Sequence, residues 1–265
     1  MKTTPFLDEL VENSPLVERA YTTVPRTSKA IISVNCGIQP HLVEEITEAQ
    51  SGGIPARGPA DLLKEQGYST AFFQSSTELF ENFRGLVRNF GYDQYYPLES
   101  LDEECKEGFE WANYFGYDDD VMLKPSEEWL KQHRNQPFMV KYLTGKGHHD
   151  YQVPLRYGLE DFSKDDQLKR YLNCLRYQDF FVRNLIEQYK ELGHYEDTIF
   201  VLYGDHGEDF GEHGRFRHED VIWEEGARVP LIVHALGGSR TASGSRGWRT
   251  TPISCPPCWT SWVTN

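Results

Sequence analysis

Asp205 and His206 stand side by side just after an uninterrupted apolar run, Ile199-Phe200-Val201-Leu202-Tyr203, that stops at Gly204. A short apolar run of this kind reads as a strand buried on both faces. In an open α/β sheet, the loops beyond the carboxyl ends of strands are where ligands bind. The run therefore delivers a carboxylate and an imidazole to a ligand-binding position, with His213 and His218 following in a glycine-broken stretch. Such donors suit a divalent cation and an anionic substrate. Nothing in them separates Ca, Mn and Zn. A second apolar run, 229–233, then returns to the core.

A second buried strand, Phe138-Met139-Val140-Lys141-Tyr142-Leu143, also discharges into a polar loop, T-G-K-G-H-H-D-Y at 144–151. Between the two loops, residues 163–192 have the apolar spacing of one long amphipathic helix, or two, ended by Gly193. This is the crossover that brings the chain back parallel. Upstream, a helix over 60–66, Gly67 and a strand over 69–73 repeat the βαβ alternation of a parallel sheet. Leu79, Phe80, Phe83, Leu86, Val87 and Phe90 recur at helical spacing and read as core. Residues 92–120, rich in Asp, Glu, Tyr and Gly, read as an irregular surface excursion with Asp118-Asp119-Asp120 as a solvated turn or cap. Thr4, with Pro5 after it, is expected to cap a first short helix, and Ser126 to cap one running through Trp129.

A formal charge of −14 over 265 residues disfavours nucleic acid and anionic membrane surfaces as partners. No apolar stretch approaches the ~18 residues needed to span a bilayer. The first five residues lack the apolar core of a signal peptide, which makes cytoplasm the default compartment. Five cysteines at irregular spacing do not form a disulfide framework. Oligomeric state is left open.

The sequences D-H-G-E, G-E-H-G and E-E-G-A-R-V-P-L-I, together within 205–232, resemble the C-terminal half of the sulfatase family in the alkaline phosphatase superfamily. T-P-F-L-D-E-L at 4–10 is similar to the family's segment after its first strand. That strand normally carries two acidic metal ligands, so the chain is expected to lack it. In sulfatases the nucleophile lies in C-x-P-S-R at a helix start. That pattern is absent here, and R-T-S-K-A at 26–30 looks closer to superfamily branches in which an unmodified Thr attacks phosphorus. The resemblance thus implies Thr27 as nucleophile, with Ser28 its close competitor and Thr23 a weaker one. A helix N-terminus there would help stabilise a developing anion.

By the same resemblance Asp205 and His206 are metal ligands, and Lys29 holds the substrate's anionic group. His148 contacts the transferred group or protonates the leaving oxygen, and Lys146 is a weaker anion-binding candidate. An Asp at 150 in place of the family's proline leaves the register between His148 and His149 open. His218 falls where the family places a residue against the transferred group; His213 is either behind the site or packed in its turn. After Ala235 the resemblance stops. Codons for V-E-G-L-A-D-H-T-D-I-L-P-T-V-L-D, a tail typical of the family, give S-R-G-W-R-T-T-P-I-S-C-P-P-C-W when read one base late, which is residues 245–259.

The expectation is an α/β three-layer sandwich with a mainly parallel sheet, incomplete at both ends. Residues 1–235 would form a sulfatase-type catalytic domain and 236–265 a frameshifted, disordered tail. The implied activity is metal-dependent hydrolysis of a small anionic sulfate or phosphate ester, with phosphotransfer, phosphodiester cleavage and a non-catalytic remnant as alternatives. It requires the loops around 27, 148 and 205 to meet at one sheet edge.

Overall fold

Strand residues alternate between two apolar faces, and helices cover both. In the computed structural model, the described residues are 2–109, 111, 113–218, 223–236 and, for backbone alone, 259–264. The strands are β1 (Ala20–Tyr21), β2 (Ser69–Gln74), β3 (Gln94–Tyr96), β4 (Phe138–Leu143) and β5 (Ile199–Gly204), then β6 (Asp209–Phe210), β7 (Phe216–Arg217), β8 (Arg228–Val229), β9 (Leu231–His234) and β10 (Trp259–Thr264). The helices are α1 (Pro5–Glu12), α2 (Thr27–Cys36), α3 (Pro59–Lys64) and α4 (Phe83–Phe90), then α5 (Glu103–Lys106), α6 (Leu123–Gln132), α7 (Asp166–Glu191) and α8 (Glu224–Ala227). Among the described residues no helix is long and apolar enough to cross a membrane.

The main sheet has the order β3-β2-β4-β10-β5-β9. β3, β2 and β4 are mutually parallel. β10 runs against both β4 and β5, so β5 shares the direction of β4. The carboxyl ends of β2, β4 and β5 therefore lie along one edge, as the two apolar runs required. On one face, Phe73, Val140, Tyr142 and Leu202 pack with residues of α1, α6 and α7. On the other, Phe72 packs with Ile31 and Ile32 of α2 and Phe83 and Leu86 of α4. The expected three-layer α/β sandwich is what forms.

Four expectations are corrected. The first is the tail: Trp259–Thr264, expected to be disordered, forms the strand between β4 and β5, giving partners to backbone edges that are costly to leave unpaired. Residues 237–258 and 265 of that segment lie outside the described residues. The second is the N-cap of α1, where Thr4 makes no side-chain cap bond. Asp179, reaching across from α7, accepts instead from Phe6 N (3.1 Å) and Leu7 N (2.8 Å). The third is Ser126, which lies buried inside α6 and bonds the Tyr142 hydroxyl rather than capping the helix.

The fourth is the 92–120 segment. β3 joins the sheet edge, Leu98, Leu101 and Phe115 are buried, and Asp118, Asp119 and Asp120 are buried as well. The two flanking carboxylates are compensated by cations. Asp118 pairs with Lys146 (2.5 Å) and Arg156 (2.6 Å), and Asp120 with Arg156 (2.9 Å) and the Tyr157 hydroxyl. Asp119 Oδ1 accepts from Ser75 Oγ (2.7 Å) and Gly145 N (2.8 Å), tying the loop after β2 to the loop after β4.

Burial pushes the Asp119 carboxyl up to about 7, against ~3.9 in an unfolded chain. The folded protein holds this proton to higher pH than the unfolded chain does, so the Asp119 contribution to stability falls as pH rises from about 4 to about 7. Asp119→Asn cannot ionise, and its carbonyl oxygen can still accept from Ser75 and Gly145. Its thermal midpoint is therefore expected to gain on the wild-type midpoint as pH rises through that window; a pH-independent difference would contradict the assignment.

Candidate active site

Three loops build the site. The first ends at Thr27, the opening residue of α2, with Arg26 as its N-cap. The second leaves β4 at Leu143 and carries His148. The third leaves β5 at Gly204 and carries Asp205 and His206, and Gly207 turns it hard against α8. A Cβ at Gly207 would fall 1.9 Å from the Glu225 carbonyl oxygen, so only glycine fits this approach.

Asp205 and His206 are both buried. His206 Nδ1 lies 2.8 Å from the Gly207 carbonyl oxygen, which can only accept, so Nδ1 carries the proton. Its Nε2 faces Thr27 Oγ1 at 3.2 Å and Asp205 Oδ2 at 3.5 Å. Thr27, His148, Asp205 and His206 line one cavity of about 20 Å³ with Thr144 and Gly145. A space of that size admits one water or small ion, not an organic ester; a larger substrate must present its reacting group from outside.

The His218 ring stacks on that of His206 (3.9 Å between centroids), and the His148 ring meets His218 edge-on at 5.8 Å. Phe115 closes the other side of His148, ring to ring at 4.8 Å. Burial pushes both imidazoles down to about 3, His148 with help from His149 and His218 with help from His206. Both rings are therefore neutral near pH 7. In this state His148 has no imidazolium proton to give a leaving group, which amends the expected acid role. His218 Nδ1 lies 3.2 Å from Glu208 Oε2, and burial raises that carboxyl to about 7.

Five of the seven expected site residues come together: Thr27, His148, Asp205, His206 and His218. The two lysines do not. Lys29 is buried on the far side of α2's first turn and bonds Glu48 Oε2 (2.9 Å) and the Glu45 carbonyl (3.1 Å). Lys146 is buried against Asp118. Each ammonium meets a buried carboxylate, because an unpaired buried charge is too costly, and neither is directed at the cavity. Ser28 Oγ is buried without a hydrogen-bond partner, and Thr23 Oγ1 bonds Ser33 Oγ (2.6 Å). Of the three candidate nucleophiles Thr27, Ser28 and Thr23, Thr27 is thus the one that lines the cavity. His213 stacks outward on Trp223 (4.5 Å) and lies 3.4 Å from Glu225, packed in its turn.

Residues not foreseen are Glu208, Asp119 and Glu81. Glu208 was visible as the fourth residue of D-H-G-E. Glu81 gave no signal, since the helical spacing around it placed it on an outer face. It accepts from Ser28 N (2.8 Å), so this first-turn amide of α2 is not free to meet an anion.

As metal donors, Asp205 and His206 offer a carboxylate oxygen and an imidazole lone pair converging in a buried place, which fits a divalent cation. The Nε2 lone pair now facing the Thr27 hydroxyl is the one a cation would take. Among the described residues no third His, Cys, Asp or Glu completes a cluster with them.

Comparison with known proteins places these observations. A lipoteichoic acid synthase-like protein of Bacillus subtilis, YvgJ, is 26% identical over 249 residues, covering 88% of this chain but 39% of that protein. Lipoteichoic acid synthase of Staphylococcus saprophyticus is 27% identical over 152 residues, 56% of this chain and 22% of its own. The chain thus spans well under half the length of these relatives. Among solved structures, the lipoteichoic acid synthase LtaP of Listeria monocytogenes superposes with a TM-score of 0.75 at 22% identity, covering 89% of this chain and 60% of the other. The C-terminal periplasmic domain of EptC from Escherichia coli, solved with Zn, gives 0.65 at 19% identity over 88% and 66%. The sulfatase family model matches residues 1–252, continuing past Ala235, where the motif-level resemblance ended. With that match spanning nearly the whole chain, and the fold shared with these structures, the protein belongs to the sulfatase family.

Proposed function

We propose that this protein transfers or cleaves a phosphate-ester group, with Thr27 as the attacking residue, so that it is a phosphotransferase or phosphodiesterase rather than a sulfate-ester hydrolase. The observation that carries the reading is an unmodified threonine hydroxyl at the start of α2, 3.2 Å from His206 Nε2 in the shared cavity. The names of its relatives support it: lipoteichoic acid synthases in sequence, and a phosphoethanolamine transferase of Campylobacter jejuni among the fold neighbours.

In the cation-free site the Thr27 hydroxyl lies 3.2 Å from His206 Nε2 and can donate to it; a cation on the Nε2 lone pair would take the place of this hydrogen bond and leave the hydroxyl beside it. Attack forms an Oγ1–P bond and breaks the bond from phosphorus to the leaving alcohol oxygen. The proton lost by Thr27 ends on that alcohol. His148 and His218 are the neutral imidazoles placed to carry it, because an arriving phosphate anion raises the proton affinity that burial suppresses. A second alcohol, or water, then attacks phosphorus and frees Thr27. A divalent cation held by Asp205 and His206 would neutralise charge on the non-bridging oxygens and ease deprotonation of the hydroxyl.

Turnover of bis(p-nitrophenyl) phosphate, p-nitrophenyl phosphate and p-nitrophenyl sulfate, with Mn or Zn supplied, tests this. The diester should be the best substrate, and Thr27→Ala should lower its kcat/KM by about a thousandfold or more. Preference for the sulfate, or full activity of Thr27→Ala, would overturn the reading. Separately, Asp205→Asn should lower the amount of metal retained after gel filtration, measured by elemental mass spectrometry; unchanged retention would remove Asp205 from the cation site.

A further inference from the structure

We infer that Glu81 is a positioning residue for Thr27, an inference that rests on the attacking role just given to Thr27. Its carboxylate straddles the nucleophile. Oε1 accepts from Arg26 Nε at 2.7 Å, and Oε2 accepts from Ser28 N at 2.8 Å. The residues before and after Thr27 are thus held by one rigid group, through a side chain on one side and the backbone on the other. Arg26 is fixed further by its Nη1, 3.0 Å from the Glu44 carbonyl oxygen.

The backbone is bent to make this possible. Glu81 has φ 43° and ψ 29°, and Asn82 has φ 56° and ψ 38°. Two consecutive left-handed residues without glycine are uncommon, and glutamate is not among the types that favour that region. They interrupt what the apolar spacing of 79–90 presents as one helix, leaving a short turn over Phe80–Asn82 ahead of α4. Had 81 and 82 stayed right-handed, the helix would have continued and the carboxylate would have left from another face. Strain of this kind persists where the surroundings over-determine it, and it clusters at functional sites.

The same turn reaches the opposite wall of the cavity. Phe80 stacks on Phe115 with 3.9 Å between ring centroids, and Phe115 packs edge-on against His148. One residue of the turn therefore touches the aromatic wall behind His148, while the next grips both neighbours of Thr27. The turn sets where the hydroxyl stands relative to the imidazole, and Glu81 works through Thr27 without touching the reacting group.

The test uses the full chain in three forms: wild type, Glu81→Ala and Glu81→Gln. The Gln carbonyl oxygen can still accept from Ser28 N, but its amide cannot accept from Arg26. By NMR, hydrogen exchange at the Ser28 amide should quicken by about tenfold or more in Glu81→Ala and less in Glu81→Gln. On bis(p-nitrophenyl) phosphate, kcat should fall by about ten- to a hundredfold in Glu81→Ala with KM within about twofold, and partly recover in Glu81→Gln. A merely structural role would lower the thermal midpoint and leave kcat per folded molecule unchanged. Unchanged Ser28 exchange in Glu81→Ala overturns the inference, and so does a rise in turnover, which would make Glu81 an internal blocker. If Thr27→Ala is fully active, the reading of Thr27 fails instead, and Ser28 exchange still decides whether the clamp exists.

Discussion

The hydrogen bond between Thr27 Oγ1 and His206 Nε2 joins positions 179 residues apart, and most of the site's geometry depends on it. It requires α2 to begin where it does, β5 to end where it does, and His206 to keep its proton on Nδ1. Each condition has a visible cause. Arg26 takes an extended conformation and Thr27 opens the helix. Gly204 and Gly207 release β5 into a turn against α8. The Gly207 carbonyl fixes the imidazole tautomer. A carboxylate, an imidazole nitrogen and a hydroxyl then converge in one cavity, beside His148, Phe80 and Phe115.

Burial of charge governs the rest. Lys29, Lys146, Asp118 and Asp120 are all withdrawn from water and matched with opposite charges, and none of them lines the cavity. His148, His218, Glu208 and Asp119 are driven toward their neutral forms by the same surroundings. On the proposed function, an arriving anion's field would favour the protonated forms of the two imidazoles. β10 obeys a related constraint on the backbone, since pairing in the middle of the sheet leaves neither β4 nor β5 with an open edge there.

Much of this was legible in the sequence, for identifiable reasons. The runs at 138–143 and 199–203 are short, apolar and bounded by loops, so strand identity and the polar residues beyond each strand could be read together. Thr27, His148, Asp205, His206 and His218 were reached through motifs at those strand and helix ends. Position in a motif does not say what lies across from a side chain, and that is where reading failed. Lys29 stands two residues from Thr27, yet its ammonium leaves toward Glu48 on the other side of the helix. The Asp118–Asp120 run looks solvated in one dimension, because its partners Lys146 and Arg156 are distant in sequence. Glu81 was hidden by its own surroundings, as a regular helical spacing concealed two left-handed residues.

Trapping the protein in mid-reaction is the most direct test of Thr27 as the attacking residue. Rapid acid quench of the protein with a phosphodiester substrate, followed by peptide mass mapping, should find the transferred phosphoryl group on the peptide containing Thr27, with fragmentation locating it on that residue. A transferred group on Ser28 or a histidine, or active turnover with no covalent adduct, would contradict it.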